Sequence, residues 1–444
     1  EEAKLVDYIR ACGKLSHTHI SKRYPAWKEA DRAHDVYVPP ETTEFREKAV
    51  ISDTRAVADT VLTYQMSALA GRNPMFQLEG LARKSKTSSL ILERLLHQQM
   101  RRTAGEARIA QLMLDSIRYG FAPTKIAWDT SSNTNSIINF DPRHCFPDPR
   151  VSWGDWERMQ FIIFTDTVST SALLASGQYP KLNKYPALRR KKTVPKRGWD
   201  MHQWTKDEGK GHNVNPSTQT NSDSQFQLDP ARTVDELWVR FAGFEIGIPS
   251  INAIWMTAVI IDEEVCIRFQ LNPSGRQFPV VIGGLYSDNH KTYSQSLYDL
   301  LLPLHDIATW LMRSRIDNVQ ASLNNLIFVD PTQFNVADLI DRNPWGVVQT
   351  TSDGIRSATE IQRLTQLGSQ RLGVIARIAS ANTFRPMVRM MTANIQDAIN
   401  FEGSIRIAQS QAPGPLTSLI KDDYLDFDPS MLQGDIDYLV VDGT

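Results

Sequence analysis

His17 and His19 stand two residues apart, a spacing that puts both imidazoles on one face of a strand and could hold a metal ion given a third ligand. No third ligand is suggested nearby, so a solvated pair is expected. Asp422, Asp423, Asp426 and Asp428 cluster carboxylates of the kind hard cations want. A calcium loop opening at Asp426 would need glycine at its sixth position and has Met431 instead. These residues therefore read as a solvated acidic loop before a strand. His144 beside Cys145 looks like half of a thiol–imidazole pair. The two are chain neighbours between prolines in a turn-rich stretch, which argues against a catalytic geometry. Ser418 and Lys421 match SxxK, with no KTG or SDN to accompany them. GxGxxG, GxxxxGK[ST], HExxH and GxSxG do not occur.

The one sizeable charge asymmetry is the run Arg189, Arg190, Lys191, Lys192, Lys196 and Arg197. It could face phosphates or an acidic partner, and a solvated loop is the plainer reading. The whole chain offers no such bias. Its 444 residues carry 49 Lys and Arg against 50 Asp and Glu, for a net charge of −1. A protein that wraps DNA by neutralising phosphates would be basic over its binding domain. Any nucleic-acid role is thus local or non-adhesive. No cofactor is expected.

Composition is that of a folded protein, 41% hydrophobic and 22% charged, long enough for two or three folding units. Cys12, Cys145 and Cys266 lie far apart, which excludes a disulfide framework and a zinc ribbon and predicts reduced thiols. The longest apolar stretch, Ile251 to Ile261, is interrupted by Asn252 and Thr257 and is too short to span a bilayer. The opening EEAKLVDYIRACG lacks a signal-peptide core. A soluble intracellular protein is expected, and the chain, beginning without Met and stopping at VVDGT, reads as trimmed at both ends.

The elements that must position these residues follow from periodicity. Residues 1–130 read as mainly helical: Val57, Val61, Leu62, Met66 and Leu69 keep helical spacing up to Gly71, as do Leu92, Leu95, Leu96 and Met100. A third helix carries Ile109, Leu112, Met113 and Ile117 and breaks at Tyr119-Gly120, before the strand-like FAPTKIAWD. Strands and tight turns are expected over 136–170, then a short helix, STSALLASG. Residues 181–231 are basic, then polar, and read as a surface loop. A small antiparallel sheet is predicted over about 232–285. From Ser294 to Asn325 the apolar spacing is helical, with Pro303 opening or kinking the helix. LIFVD, a short helix at Ala337–Ile340 and WGVVQT follow. A second long helix is predicted from about Ser357 to Ile407, bent near Asn382–Pro386. Trp128, Trp238, Trp255 and Trp310 fall in these patterns and suit core or subunit packing.

Five segments, taken in order, resemble the portal (head-to-tail connector) proteins of tailed bacteriophages, especially the short-tailed type. They are RYPAWKEADRAHDVYVPP, LMLDSIRYGFAPTKIAWD, FDPRHCFPDPRVSWGDWERMQFIIF, the long YSQSLYDLLLPLHDIATWLMRSRIDNVQASLNNLIFVDPTQF continuing to NPWGVVQT, and SMLQGDIDYLVVDGT. The polar stretch 205–230 has no counterpart in that family, and the segment expected to form a crown or barrel is absent or lies beyond this chain.

The resemblance implies an α+β fold with a mainly helical wing, a long stem helix and a small antiparallel β clip domain. On that plan 1–180 and 326–444 are the two parts of the wing, 181–231 a basic and polar loop, 232–290 the clip and 294–325 the stem. It further implies a homo-oligomer, a dodecameric ring at one capsid vertex, with a channel for double-stranded DNA. The channel loop would be Thr350, Thr351, Ser352, Asp353, Gly354, Ile355 and Arg356, with the bend at 382–386 as second choice. Leu304, Ile307, Leu311, Ile316 and Val319 would pack the stem helix. Implied partners are the terminase large subunit, which would supply ATP hydrolysis, the major capsid protein or scaffold, and a neck or tail adaptor. No membrane is involved, and the implied location is the virion, after assembly in the host cytoplasm. The rival readings are a soluble enzyme, perhaps hydrolytic, using His144 or Asp148, and a ring-forming neck or tail adaptor.

Overall fold

The computed structural model of the chain describes residues 2–36, 50–71, 75–82, 85–175, 179, 231–242, 253–262, 265–273, 277–286, 291–323, 373–407, 416, 420–421, 424–434 and 436–438. The basic run 189–197, the polar segment 205–230, the candidate loop 350–356, the segments LIFVD and WGVVQT, the helix expected at 337–340 and Ser418 lie outside the described residues.

Helices α1 (Glu2–Ile20) and α2 (Tyr24–His34) are joined by a single 3-10 turn, Ser21–Arg23. Pro25 sits in the first turn of α2, where its missing N–H costs nothing. Next come α3 (Asp53–Ala70), β1 (Leu78–Gly80), α4 (Lys86–Arg102) and α5 (Gly105–Tyr119). The stripes of α4 and α5 are buried as expected, whereas in α3 Val57 is exposed and Thr54, Ala58, Val61 and Gln65 are the buried positions; α5 ends at Gly120, whose φ of 67° only glycine adopts freely.

The strands β2 (Ala122–Asp129), β3 (Thr134–Asn139), β4 (Cys145–Pro147) and β5 (Phe161–Ser169) precede a short helix, α6 (Thr170–Ala175). Then β6 (Ala231–Ala242), β7 (Ala253–Ile261) and β8 (Val265–Leu271) form an antiparallel meander, followed by β9 (Val280–Gly283). The sequence reading gave 232–285 a sheet of its own. Instead β6–β8 continue an antiparallel sheet begun by β4 and β5, in the order β4-β5-β6-β7-β8. Residues 280–283 leave it, and β9 pairs with β2 in a second sheet, β3-β2-β9.

Helix α7 (Leu297–Leu323) is the longest among the described residues, about 40 Å at 1.5 Å per residue. It neither starts at Pro303 nor stops there: it begins six residues earlier and runs through, leaving the Asp299 carbonyl without an amide partner. Residues 373–379 are helical, and a π-turn at Ser380–Phe384 leads into α8 (Arg385–Ala398). The expected bend at 382–386 is thus a widened turn abutting Pro386. The expected continuation to Ile407 is overturned. Ile399 is extended, and β10 (Gly403–Arg406) pairs antiparallel with β12 (Tyr424–Phe427), beside β11 (Ile420–Lys421). Asp426 therefore lies within a strand rather than in a solvated loop. A four-residue turn, α9 (Pro429–Leu432), and β13 (Ile436–Tyr438), antiparallel to β1, close the described chain.

Two large cores result. One packs α4, α5 and α8 against β2 and the β10–β12 sheet, through Leu92, Leu96, Met113, Met391 and Ile395. The other packs α1 and Trp27 against the five-stranded sheet, through Phe146, Phe161, Ile163, Leu237 and Val239. No helix among the described residues is long and apolar enough to cross a membrane.

Candidate functional site

The long helix α7 starts in a seat built by four distant segments. Ser296 precedes its first turn. The Asp299 N–H donates to Ser296 Oγ (2.9 Å), and the Ser296 N–H donates to Asp299 Oδ2 (3.0 Å). This reciprocal capping box satisfies two amides that a helix start leaves open. Arg23, between α1 and α2, forms an ion pair with the same Asp299 carboxylate. Tyr298 is fully buried, in a small core with Ala30, Ala33, Val61, Ile117 and Leu285. Its hydroxyl lies 2.8 Å from His34 Nδ1, and burial pushes the phenol pKa up to about 12, so that oxygen keeps its proton at neutral pH.

Two residues upstream of the cap, the chain passes close to Gly120. Ser294 Oγ donates to the Gly120 carbonyl (2.6 Å) and accepts from the Leu285 N–H (3.2 Å). A Cβ on Gly120 would meet the Ser294 carbonyl oxygen at 2.4 Å. The Tyr-Gly break is therefore both a left-handed helix cap and the contact on which the α7 leader rests.

Below the seat lies a buried polar network. Trp27 Nε1 donates to the Tyr119 carbonyl (2.9 Å), and the Tyr119 hydroxyl donates to Asp31 Oδ1 (2.6 Å). Asp31 forms ion pairs with Arg118 and Arg143, both at 3.3 Å. Arg143 also grips Asp141 through two N–H···O bonds of 2.7 and 2.9 Å. Burial opposes ionisation of Asp141, but the Arg143 hydrogen bonds and charge outweigh it and hold the carboxyl below its usual value. Phe121 stacks on Trp27, and Tyr293 meets Phe121 edge-on with ring centroids 5.0 Å apart. Segments RYPAWKEAD, SIRYGF, FDPRHCF and YSQSLYD thus converge on one spot. Arg23, Trp27, Asp31, His34, Tyr119, Arg143, Tyr298 and Asp299 are not distinguished by sequence reasoning, although the S-x-x-D box at Ser296–Asp299 is a signal for the helix start.

Beyond its seat one side of α7 is exposed, while Thr309 on the other is buried. Among the described residues its main contacts are with α2, α3 and α5. Leu304, Ile307 and Leu311 are 64%, 58% and 55% exposed, and Val319 is 52% exposed, while Ile316 is half-buried. Trp310 and Met312 are exposed as well. Leu300, Leu304, Ile307, Leu311, Ser314 and Asn318 are spaced 4-3-4-3-4, the a/d pattern of a helix that meets another helix. The stripe is apolar over its first three turns and polar at its end. Of the stem-packing residues named from sequence, four therefore have no cover within the described chain.

The other singled-out residues disperse. His17 and His19 lie in the last turn of α1, a helix and not the strand in which such a pair could share a metal. The His17 ring contacts Tyr24 and Phe146. Burial pushes the Cys145 thiol well up, opposite to what a thiolate nucleophile needs. Asp148 is buried and accepts from Arg150 Nε and from two backbone N–H groups, as a turn-forming carboxylate does. No group of three or more metal-ligating side chains occurs among the described residues.

Residues 81–357 match the model of a family of tailed-phage portal proteins, a span that takes in the α5 and Gly120 side of the seat, the five-stranded sheet, the β3-β2-β9 sheet and the exposed helix. The family is the one described as the phage SU10 portal protein, and this chain, matched over more than half its length, belongs to it. It is a bacteriophage portal, or head-tail connector, protein. A comparison with curated protein sequences gives no significant match. Helices α1–α3, which build one side of the seat, fall outside the matched span.

Proposed function

We propose that this chain forms a closed homo-oligomeric ring, a dodecamer, at one vertex of a phage capsid, and that double-stranded DNA passes through its channel during packaging and ejection. The uncovered apolar stripe of α7 carries this reading. Side chains such as Leu304 and Leu311 cost free energy when left in water, at about 25 cal/mol per Å². A heterologous contact repeated around a ring would bury them on every subunit. The 4-3-4-3-4 spacing suits packing against a helix of the next copy.

On this reading α7 is the stem, residues 1–180 and 326–444 form the wing, and the β6–β8 meander is the face presented to the terminase large subunit and later to a neck or tail adaptor. The loop Thr350–Arg356 faces the channel, the run Arg189–Arg197 contacts DNA or a partner, and the wing meets the capsid protein or scaffold. The chain itself catalyses nothing: the ATP hydrolysis that drives DNA belongs to the terminase. A near-neutral subunit suits a channel through which DNA slides, since every phosphate held would resist movement.

Light scattering after size exclusion, with negative-stain images of the peak, tests the proposal. A particle of about twelve subunits with a central hole is expected. A compact dimer or tetramer without a channel would sink it.

A further inference from the structure

Helix α3 packs with one side and leaves the other in water. Thr54, Ala58, Val61 and Gln65 are its buried positions, and Ala58 and Val61 share a core with Leu297 and Tyr298 of α7. Ala56, Thr60, Thr63 and Ser67 are exposed. At 100° per residue these four fall within an arc of about 60°, roughly opposite the buried set. From Thr60 to Gly71 the sequence holds no charged residue, and one turn earlier Arg55 and Asp59 pair with each other at 3.9 Å. The Thr60 and Thr63 hydroxyls donate to the Ala56 and Asp59 carbonyls, both at 2.8 Å. Excluding water from this side would therefore strand neither donor. A helix in water ordinarily turns charge to the solvent. The other long helices do so, with exposed Lys14 on α1, Glu29 on α2, Arg101 on α4, Arg108 on α5 and Arg389 on α8.

The exposed stripe of α7 matches this row in spacing and complements it in size. Leu300, Leu304, Ile307 and Leu311 run 4-3-4, and so do Ala56, Thr60, Thr63 and Ser67, so each row covers about 16 Å of axis. One row is bulky and apolar, the other small and uncharged. A ridge of large side chains packs closest in a groove lined by small ones. The directions of the two rows agree with such a contact. On α7, buried Tyr298 and Thr309 and half-buried Leu302 centre about 170° from the exposed stripe. The two helices touch within the subunit, and each does so with the side opposite its free row. The free rows therefore lie on different flanks, which is what a contact repeated from copy to copy requires.

We infer that the uncharged side of α3, through Ala56, Thr60, Thr63 and Ser67, receives the α7 stripe of an adjacent copy of this chain. Small side chains alone would select no partner; the matched row on α7, the charge on the other helices and the opposed flanks select this one. The inference rests on the proposed ring and names the surface that closes it. It also excludes the simpler pairing of α7 with α7, which would bury the stripe in a two-fold dimer and leave α3 bare.

Introduced cysteines in the full chain test it. Cys12, Cys145 and Cys266 are buried, which leaves a short bis-maleimide the added thiols. Thr63→Cys and Ile307→Cys stand mid-row at exposed positions. Neither variant alone should give covalent dimers, and the two mixed should give dimers and nothing larger. A chain carrying both should give a ladder that ends at ring size. Dimers from Ile307→Cys alone would overturn the inference, as would closed rings in which the mixed chains stay unlinked. A second variant, Thr60→Arg/Thr63→Arg, places two charges on the α3 row. Its assembled fraction should fall at least about tenfold with the melting temperature of the single chain unchanged, and unaltered assembly would again overturn the inference. Particle mass measured on the same samples separates the two claims. Closed rings without the link refute the α3 surface alone, linked subunits in open chains refute the ring alone, and a monomer that never links refutes both.

Discussion

His34 Nδ1 and the Tyr298 hydroxyl oxygen lie 2.8 Å apart, joining the end of α2 to the first turn of α7. Together with the Arg23–Asp299 ion pair, this contact ties the start of the long helix to the N-terminal helices. The N-terminal helices also reach the five-stranded sheet, where Ser16 Oγ donates to the Pro147 carbonyl at 2.6 Å. The seat and the sheet therefore share one rigid support.

Tyr298→Phe keeps the buried ring and removes only the hydroxyl. The loss should be about 1 kcal/mol, read as a lower denaturant midpoint with unchanged slope. A variant as stable as the parent would mean that the bond adds nothing to the seat.

Acid should loosen the fold before the carboxylates titrate. His17, His34 and His97 are all held below the ordinary value of 6.5, each chiefly by burial, and His34 next by Arg118. The folded state thus binds these protons less readily than the unfolded chain, so stability falls as pH drops below about 6.5. Glu93 acts in the opposite sense. Burial raises its pKa, so its penalty is present at neutral pH and is relieved as pH falls through the raised value. Melting temperature measured from about pH 7.5 down to about 5.5 should decline, and less steeply in His34→Gln. A flat profile in the parent would contradict the assignment.

Gly120→Ala combines two penalties, a side chain at φ 67° and a Cβ 2.4 Å from the Ser294 carbonyl oxygen. A cost of about 2 kcal/mol or more is expected from backbone strain and displacement of the α7 leader. Chemical denaturation would measure it. Gly154→Ala is the control, because its φ is 96° but nothing lies within 4 Å of the added atom. Equal costs at both positions would show that the contact with Ser294 is unimportant.

Leu304→Glu with Leu311→Glu should leave the single chain as stable as before, within about 0.5 kcal/mol, because both side chains are exposed in it. Assembly should collapse. Mass and images would then show subunits or open fragments where the parent gives closed particles. Full rings from the double variant would remove the stripe from the interface.

Most helices, stops such as Tyr119-Gly120 and the family cues were legible in the sequence because they depend on local order. Val57 to Leu69 or Leu92 to Met100 need only 3.6-residue spacing, and Tyr119-Gly120 announces its own cap. Absence of phosphate-binding and catalytic motifs is likewise a property of the string. Long-range pairing is not. Nothing in VVIG says that β9 should abandon the adjacent meander for β2, since a short apolar strand fits either sheet equally well. The run GSIR could continue a helix, and only its pairing with β12 makes it a strand.

The same divide runs through the site. Sequence alone determined that the stretch from about Ser294 to Asn325 is a long helix with an apolar stripe. Tertiary structure decided which side of it is covered: α2, α3 and α5 enclose its first turns and leave Leu304, Ile307 and Leu311 in water. It also decided that Trp27, Asp31, Tyr119, Arg143 and Tyr293, drawn from four separate segments, meet beneath that helix. Periodicity reports which face of an element is apolar. Whether that face is buried within the chain or left for another molecule depends on packing between residues far apart in sequence.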